Sequence, residues 1–418
     1  MIAQGLGATF CSFAVGKLLC KREGNLLVYH IRSAHSLRRA PRRATKEFAV
    51  NITVFGAGNL GLACCAVLSQ DNDVTLYTTR PHKSRETLAY TYEEKAVASA
   101  TFPVTDDMAR VCNAELILCT YPAFLRQQFV ADVEPYVGKG TLIGFVPGYG
   151  GVEYYCQGLI TRGVTVFGLQ RVPYVCRSSW DERTAGILSA KETLYVATLP
   201  KGRTAEVAAL LEDLFHIPTV ALKEFLAVTL VPSNPLLHTS GAYGVFKDYQ
   251  PGDTYPEQLM FYEQWNDDTS RFLLAYDDEL QAICRALAPL DLSEVVSLRE
   301  YYESPTPEAM TRKLKSIRAF EAVKVPLSPT EDGTFLPNWN DRMFTEDYPF
   351  GVAIIKDIAS MVGVQTPTID TLLDFYRAQT GTSYLNADGT SSKDAGASAM
   401  PRNFGLTDKE AFIEFYQS

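Results

Sequence analysis

This 418-residue chain has no C-x-x-C pair, no zinc-ligand spacing and no basic face on its main body. No apolar run reaches the ~18 residues that a membrane span needs, so no membrane partner is expected. The nine cysteines are scattered, with Cys64 and Cys65 adjacent in an apolar run. An odd count without a framework pattern reads as reduced thiols in a cytoplasmic protein, and no metal site is expected. The net charge of −9 is uneven: the first 47 residues hold nine Lys and Arg against two Glu, giving +7 and leaving −16 for the remainder. An acidic body argues against a nucleic-acid partner, which needs a clustered basic face.

What is present is ordinary globular composition, 46% apolar and 21% charged, in a chain long enough for two domains. Residues 1–47 form a basic leader. Its run Arg38-Arg39-Ala40-Pro41-Arg42-Arg43 is nearly acid-free, as in a transit peptide, but no small-residue cleavage site follows the apolar opening. The leader is read as disordered or a misassigned start.

Residues 48–223 alternate apolar strands with helical patterns. Strands are expected at Ala49–Phe55, Val74–Thr78, Glu115–Thr120, Thr141–Val146 and Val164–Leu169, with helices at Leu60–Gln70 and Ala123–Tyr136. Such alternation means βαβ units and a parallel sheet. One or two edge strands within Gly186–Leu199, a helix at Thr204–Phe215 and a short strand at Thr219–Leu222 complete this half. Residues 224–418 change to helical periods. In Ser270–Leu287 the apolar Phe272, Leu273, Tyr276, Leu280 and Ile283 make one stripe. Gly351–Val364 is apolar on most sides and reads as a central helix. Residues 384–404, rich in Gly, Ser and Asp, read as a surface loop. The fold class is therefore α/β plus all-α: a doubly wound dinucleotide-binding domain followed by an all-helical domain. No internal repeat is found.

Ile52-Thr53-Val54-Phe55-Gly56-Ala57-Gly58-Asn59-Leu60-Gly61 runs from strand through G-x-G-x-x-G into helix. Gly56 permits the tight turn, Gly58 lets backbone approach a pyrophosphate, and Gly61 allows close helix–strand packing. The helix N-terminus at Asn59 and Leu60 then offers free N–H groups to phosphate. The strand before, the helix after and the second strand at Val74 raise this above a lone glycine pattern. The second strand ends Leu76-Tyr77-Thr78-Thr79-Arg80-Pro81-His82-Lys83-Ser84-Arg85, without the acid that would hold a ribose 2′-hydroxyl. Thr79 and Arg80, with Lys83 and Arg85, suit a 2′-phosphate instead. The expected cofactor is NADP, with NAD as the other candidate. Thr120, Tyr121 and Pro122 follow a parallel strand at its carboxyl end, where ligands of α/β sheets sit, and Pro122 joins the cofactor-binding candidates.

Of the five histidines, His30 and His35 lie in the leader, His82 in the cofactor loop, and His216 at a helix end. His238, in Ser233-Asn234-Pro235-Leu236-Leu237-His238, is a polar tip on an apolar run. A satisfied core histidine is the commoner reading of such a position; a catalytic one is the sharper. The stretch Arg342-Met343-Phe344-Thr345-Glu346-Asp347-Tyr348-Pro349 sets two acids among aromatics. Taken alone, it reads as a surface turn or helix cap.

Residues 50–415 resemble the octopine/nopaline (opine) dehydrogenase family. The resemblance is carried by the glycine loop, Val172-Pro173-Tyr174-Val175-Cys176-Arg177, Asn234-Pro235-Leu236-Leu237-His238, and Asn340 through Pro349. An arginine five residues before the second acid of a Thr-Glu-Asp-x-Pro run is the most specific part. The resemblance implies a Rossmann domain plus a helical domain, His238 and Asp347 as a catalytic dyad, and Arg342 as a substrate contact. The implied reaction condenses an amino acid's amine with a 2-keto acid, pyruvate by resemblance, and reduces the imine with NAD(P)H. The partners are then small molecules, and a homodimer is among the assemblies the sequence permits. The leader has no counterpart in the family pattern. Arg177 reads equally as a cleft residue or a structural ion pair.

Two other readings stay open. One is a Rossmann-plus-helical dehydrogenase for a hydroxy acid or phosphorylated alcohol. Such enzymes place a lysine four residues before an Asn or Asp on the first helix of the second domain, where this chain has Leu230 before Asn234. The other is an NADPH sensor without turnover, which would leave His238, Arg342 and Asp347 idle.

Overall fold

Strand β1 (Asn51–Phe55) is buried along four of its five residues, as a central parallel strand must be. A computed structural model describes residues 49–417 except 387–388. Within 1–48 it describes only the strands Leu19–Glu23 and Leu26–His30, paired antiparallel as part of a separate unit. The expectation of a disordered leader otherwise lies outside the described residues.

From β1 the chain enters helix α1 (Asn59–Leu68), then strands β2 (Asp73–Tyr77), β3 (Arg85–Tyr92), β4 (Lys95–Thr105), β5 (Leu116–Cys119), β6 (Leu142–Phe145), β7 (Thr165–Leu169), β8 (Tyr174–Ser179), β9 (Thr184–Ala190), β10 (Leu194–Leu199) and β11 (Thr219–Ala221). They form one sheet in the order β8-β9-β3-β4-β2-β1-β5-β6-β7-β10-β11. The block β2-β1-β5-β6-β7 is parallel throughout. Because β1 pairs with β2 on one side and β5 on the other, the crevice at their carboxyl ends is a topological switch point.

The expected strands are all present. The hairpin β3–β4 and strand β8 were not anticipated, and they explain α1. That helix is buried nearly all round, Cys64 and Cys65 included, because β8 and β9 cover the face that water would otherwise take. Burial pushes both thiols well above their usual range.

Helix α2 (Thr204–Phe215) packs on the sheet and ends at His216, a left-handed residue at the helix terminus as expected. Past Leu222 the regular elements are nearly all helices joined by loops. Then follow α3 (Asn234–Phe246), α4 (Asp267–Ala286), α5 (Ala353–Val362), α6 (Pro367–Thr380) and α7 (Lys409–Gln417). Asn266 caps α4 by accepting the Thr269 N–H at 2.9 Å, and Asp267 and Asp268 complement the positive end. A small hairpin, β12 (Leu327–Pro329) with β13 (Phe335–Pro337), interrupts the helical pattern. The segment read as a surface loop, 384–404, instead dips into the core. Ala399 and Met400 are fully buried, and Arg402 pairs with the buried Asp357 of α5. That ion pair draws the segment inward against its polar composition.

The two halves are fastened at Glu153, which is fully buried. Its Oε1 accepts from Thr229 Oγ1 and from Tyr416 OH at 2.7 Å, and Tyr416 also bonds Tyr154 OH at 2.8 Å. Oε2 is buried without a partner among the described residues. Burial, offset partly by those hydroxyls, pushes the carboxyl up from 4.5 to about 7. Between those values the folded chain holds a proton that the unfolded chain has released, so stability falls as pH rises through this window. Glu153→Gln removes the titration. Its stability relative to wild type rises between pH 5 and pH 8 by most of about 3 kcal/mol. Urea unfolding at the two pH values measures this, and an equal difference at both would contradict it.

Candidate functional site

The glycine loop makes the cradle its sequence demands. Gly56 has φ +111, and a Cβ there would lie 2.7 Å from Thr120 Oγ1. A Cβ on Gly61 would lie 1.8 Å from Gly56 O, so α1 cannot pack at this distance with any other residue. Gly58 has nothing within 4 Å of that position, leaving open space in front of the helix N-terminus. No side chain caps α1, so its first N–H groups are unclaimed by capping. Asn59 spends its side chain elsewhere: Oδ1 accepts the Ser178 N–H at 2.7 Å, tying the loop to β8. Leu60 is half-buried beside it. The cradle therefore fits a dinucleotide.

Beyond β2, Thr79 and Arg80 are exposed, as are Lys83 and Arg85. The nearest acid, Glu86, is buried and committed. It accepts the Lys83 N–H at 2.9 Å and pairs with Arg183 at 3.2 Å. These bonds hold its carboxyl below the usual range. On the other side of the crevice Thr120 Oγ1 donates to Phe55 O at 2.7 Å, and half-buried Pro122 leads into a short turn at Ala123–Leu125. Arg177 is exposed on β8 and makes no ion pair among the described residues.

In the helical half, α3 carries His238 one turn from its start, where Pro235 suits the first helical turn. Its Nδ1 lies 2.8 Å from Asp347 Oδ2, across 109 residues of sequence. The ring side chain is 21% exposed and the aspartate 5%. Burial raises the Asp347 carboxyl, and the facing imidazole pulls it back down. An ionised aspartate only accepts, so the proton sits on Nδ1. No described residue hydrogen-bonds Nε2, which stays available for proton transfer. Asp347 immediately precedes a π-turn, Tyr348–Val352, closed by Val352 N–H to Asp347 O at 3.0 Å. Such bulges recur at functional sites, and this one takes the first two residues of the central helix expected over 351–364, whose regular part is Ala353–Val362.

Arg342 lies beside this pair, bound to Glu346 through Nε at 2.7 Å and through Nη2. Its side chain remains 68% exposed. Glu346 is buried, and its other oxygen accepts the Ala123 N–H at 2.7 Å, next to Pro122. One carboxylate thus fastens the arginine to the cofactor-side turn. Arg126, 1% exposed, adds a second fastening: Nε donates to Tyr121 O at 3.0 Å and Nη1 to Tyr149 O. Sequence reasoning passed over both. Glu346 was visible as the first of two adjacent acids, whereas Arg126 sits in a helical turn whose pattern gives no sign of burial.

A dinucleotide cradle at a switch point, joined to a helical half bearing a His–Asp pair and an arginine, defines a nicotinamide-dependent dehydrogenase. Residues 221–380 match the family model for the NAD/NADP octopine/nopaline dehydrogenase alpha-helical domain. The opine dehydrogenase of Haliotis discus hannai is 26% identical over 328 residues, covering 74% of this chain and 80% of that one. The tauropine dehydrogenase of Arabella iricolor is 25% identical over 400 residues, covering 87% of this chain and all of that one. A solved octopine dehydrogenase with NADH and L-arginine shares the fold, with a TM-score of 0.76 at 22% identity, covering 87% of this chain and 98% of that one. The chain is thus similar to opine and tauropine dehydrogenases over most of its length, and its helical half matches that family's domain model.

Among the described residues no helix is long and apolar enough to cross a membrane.

Proposed function

We propose that this chain joins an amino acid to pyruvate by reductive condensation, with residues 48–223 holding the nicotinamide nucleotide and residues 224–418 the substrates. The observation that carries this reading is the 2.8 Å bond between His238 Nδ1 and the buried Asp347. Amine and keto acid lose water to form an imine, whose carbon must then accept a hydride. The bound nucleotide supplies that hydride. His238, presenting Nε2, polarises the keto-acid carbonyl and returns protons to oxygen and nitrogen as water departs. Asp347 fixes the tautomer and stabilises the charged ring. Arg342, with Nη1 left over from its bonds to Glu346, clamps the keto-acid carboxylate.

Gly56, Gly58, Asn59, Leu60, Gly61 and Pro122 would hold the nucleotide. Exposed Thr79 and Arg80, with Glu86 already spent on Arg183, support a preference for NADPH over NADH. The scattered cysteines without a framework pattern support a cytoplasmic setting.

The test is nucleotide oxidation with pyruvate, with and without amino acids, using NADPH and NADH in parallel. Oxidation is expected only when both substrates are present, with the higher kcat/KM for NADPH. Oxidation by the keto acid alone would favour the hydroxy-acid dehydrogenase. A clear NADH preference would end the 2′-phosphate assignment while leaving the reaction intact.

A further inference from the structure

A cavity of about 500 Å³ lies where the sheet's far edge meets the helical half. This is within the size range of small-molecule sites. Gln170 and Arg171, at the carboxyl end of β7, form one wall, with Lys191 just past the end of β9 and Tyr195 from the start of β10. Pro232 and Tyr301 come from the helical half. Two observations connect this cavity to the chemistry. It sits at the carboxyl end of a parallel strand, the ligand-binding edge of such sheets. Pro232 also stands at the entrance to α3, six residues before His238.

The lining has a definite chemical preference. Tyr195 and Tyr301 are 41% and 44% exposed, among the few large apolar side chains left open to water. The Arg171 guanidinium lies over the Tyr301 ring at 4.2 Å and donates from Nη2 to Pro232 O at 3.0 Å. Neither Arg171 nor Lys191 pairs with a carboxylate among the described residues. Two acids share the lining without pairing with either cation: Glu294 accepts the backbone N–H of Lys223 at 2.8 Å, and Glu192 is exposed, where water and salt screen it. A cationic side chain entering the cavity meets an arginine already occupying the aromatic face, while an anionic one meets two cationic donors that no described carboxylate pairs.

We propose that this cavity seats the side chain of the amine substrate, and that Arg171 and Lys191 select an amino acid carrying a second anionic group, a carboxylate or a sulfonate. The proposal rests on the opine-type reading above. Anionic substrates gain charge-assisted bonds that cationic substrates replace with repulsion, a discrimination of roughly 10- to 100-fold in kcat/KM.

The experiment is nucleotide oxidation with pyruvate and, in turn, aspartate, glutamate, cysteate, alanine, arginine and lysine. Aspartate, glutamate or cysteate should exceed arginine and lysine in kcat/KM. Arg171→Gln and Lys191→Gln should each lower the ratio of the best anionic amine to alanine by about tenfold. Alanine serves as internal reference, so any general damage from losing the Arg171 bond to Pro232 cancels in the ratio. Preference for arginine or lysine, or a ratio unchanged in both variants, would overturn the assignment while the opine-type reading stood. Absence of oxidation with every amine would bring down that reading, and this proposal with it.

Discussion

His238→Ala lowers kcat by about 10²- to 10⁴-fold, the usual contribution of a positioned general acid–base group, and leaves nucleotide affinity nearly intact. The separation follows from where the residue sits. The glycine cradle is built by β1, α1 and the end of β5, none of which touches the imidazole, whereas His238 lies on α3 with Asp347 and the edge of Phe261 as its neighbours. Single-turnover hydride transfer and a fluorescence titration of the nucleotide measure the two quantities independently. Truncation also leaves Asp347 buried with its charge uncompensated, so some loss of stability is expected. His238→Gln keeps bulk and a donor toward the carboxylate without a titrating ring. Turnover should remain collapsed in it even where stability recovers. Near-wild-type turnover in either variant would refute the dyad.

How much of this was legible beforehand differs between the halves for physical reasons. In the first half the strands β1, β2, β5, β6 and β7 are short apolar runs, and the glycines at 56, 58 and 61 have steric jobs that no other residue performs, so sequence and structure coincide. The hairpin β3–β4 was illegible because its two-residue turn is Glu93-Glu94, both at positive φ (49° and 64°), where asparagine or glycine would be the recognisable signal. Edge strand β8 escaped for a related reason: its partner on one face is α1, a contact that alternation along the strand does not encode. In the helical half the elements announced themselves by periodicity, but the juxtaposition of His238 and Asp347 did not. Each, read on its own residues, is an unremarkable core histidine or cap. Only the family resemblance paired them. Glu346 shows the remaining gap. Its two oxygens reach an arginine four residues before it and a backbone N–H 223 residues away. Local sequence could suggest the first contact and had no means of suggesting the second.

Asp347→Asn carries the second large effect, a fall of similar order in kcat/KM, and it separates a catalytic from a structural role for the aspartate. The substitution preserves shape and the backbone bond from Val352 N–H that closes the π-turn. The π-turn and the packing of Tyr348 and Phe350 are therefore retained, and thermal stability should change little. The proton inventory changes instead. Asn can present its amide N–H to Nδ1, which turns the imidazole to the tautomer carrying its proton on Nε2, the wrong form to accept one from substrate. In the charged state the ring also loses its counter-ion. A merely structural aspartate would give the reverse pattern: reduced stability, with turnover restored once the fold is stabilised by bound nucleotide. That outcome would leave His238 without the partner that makes it a proton donor, and the imine would have to be protonated by some other group in the cleft.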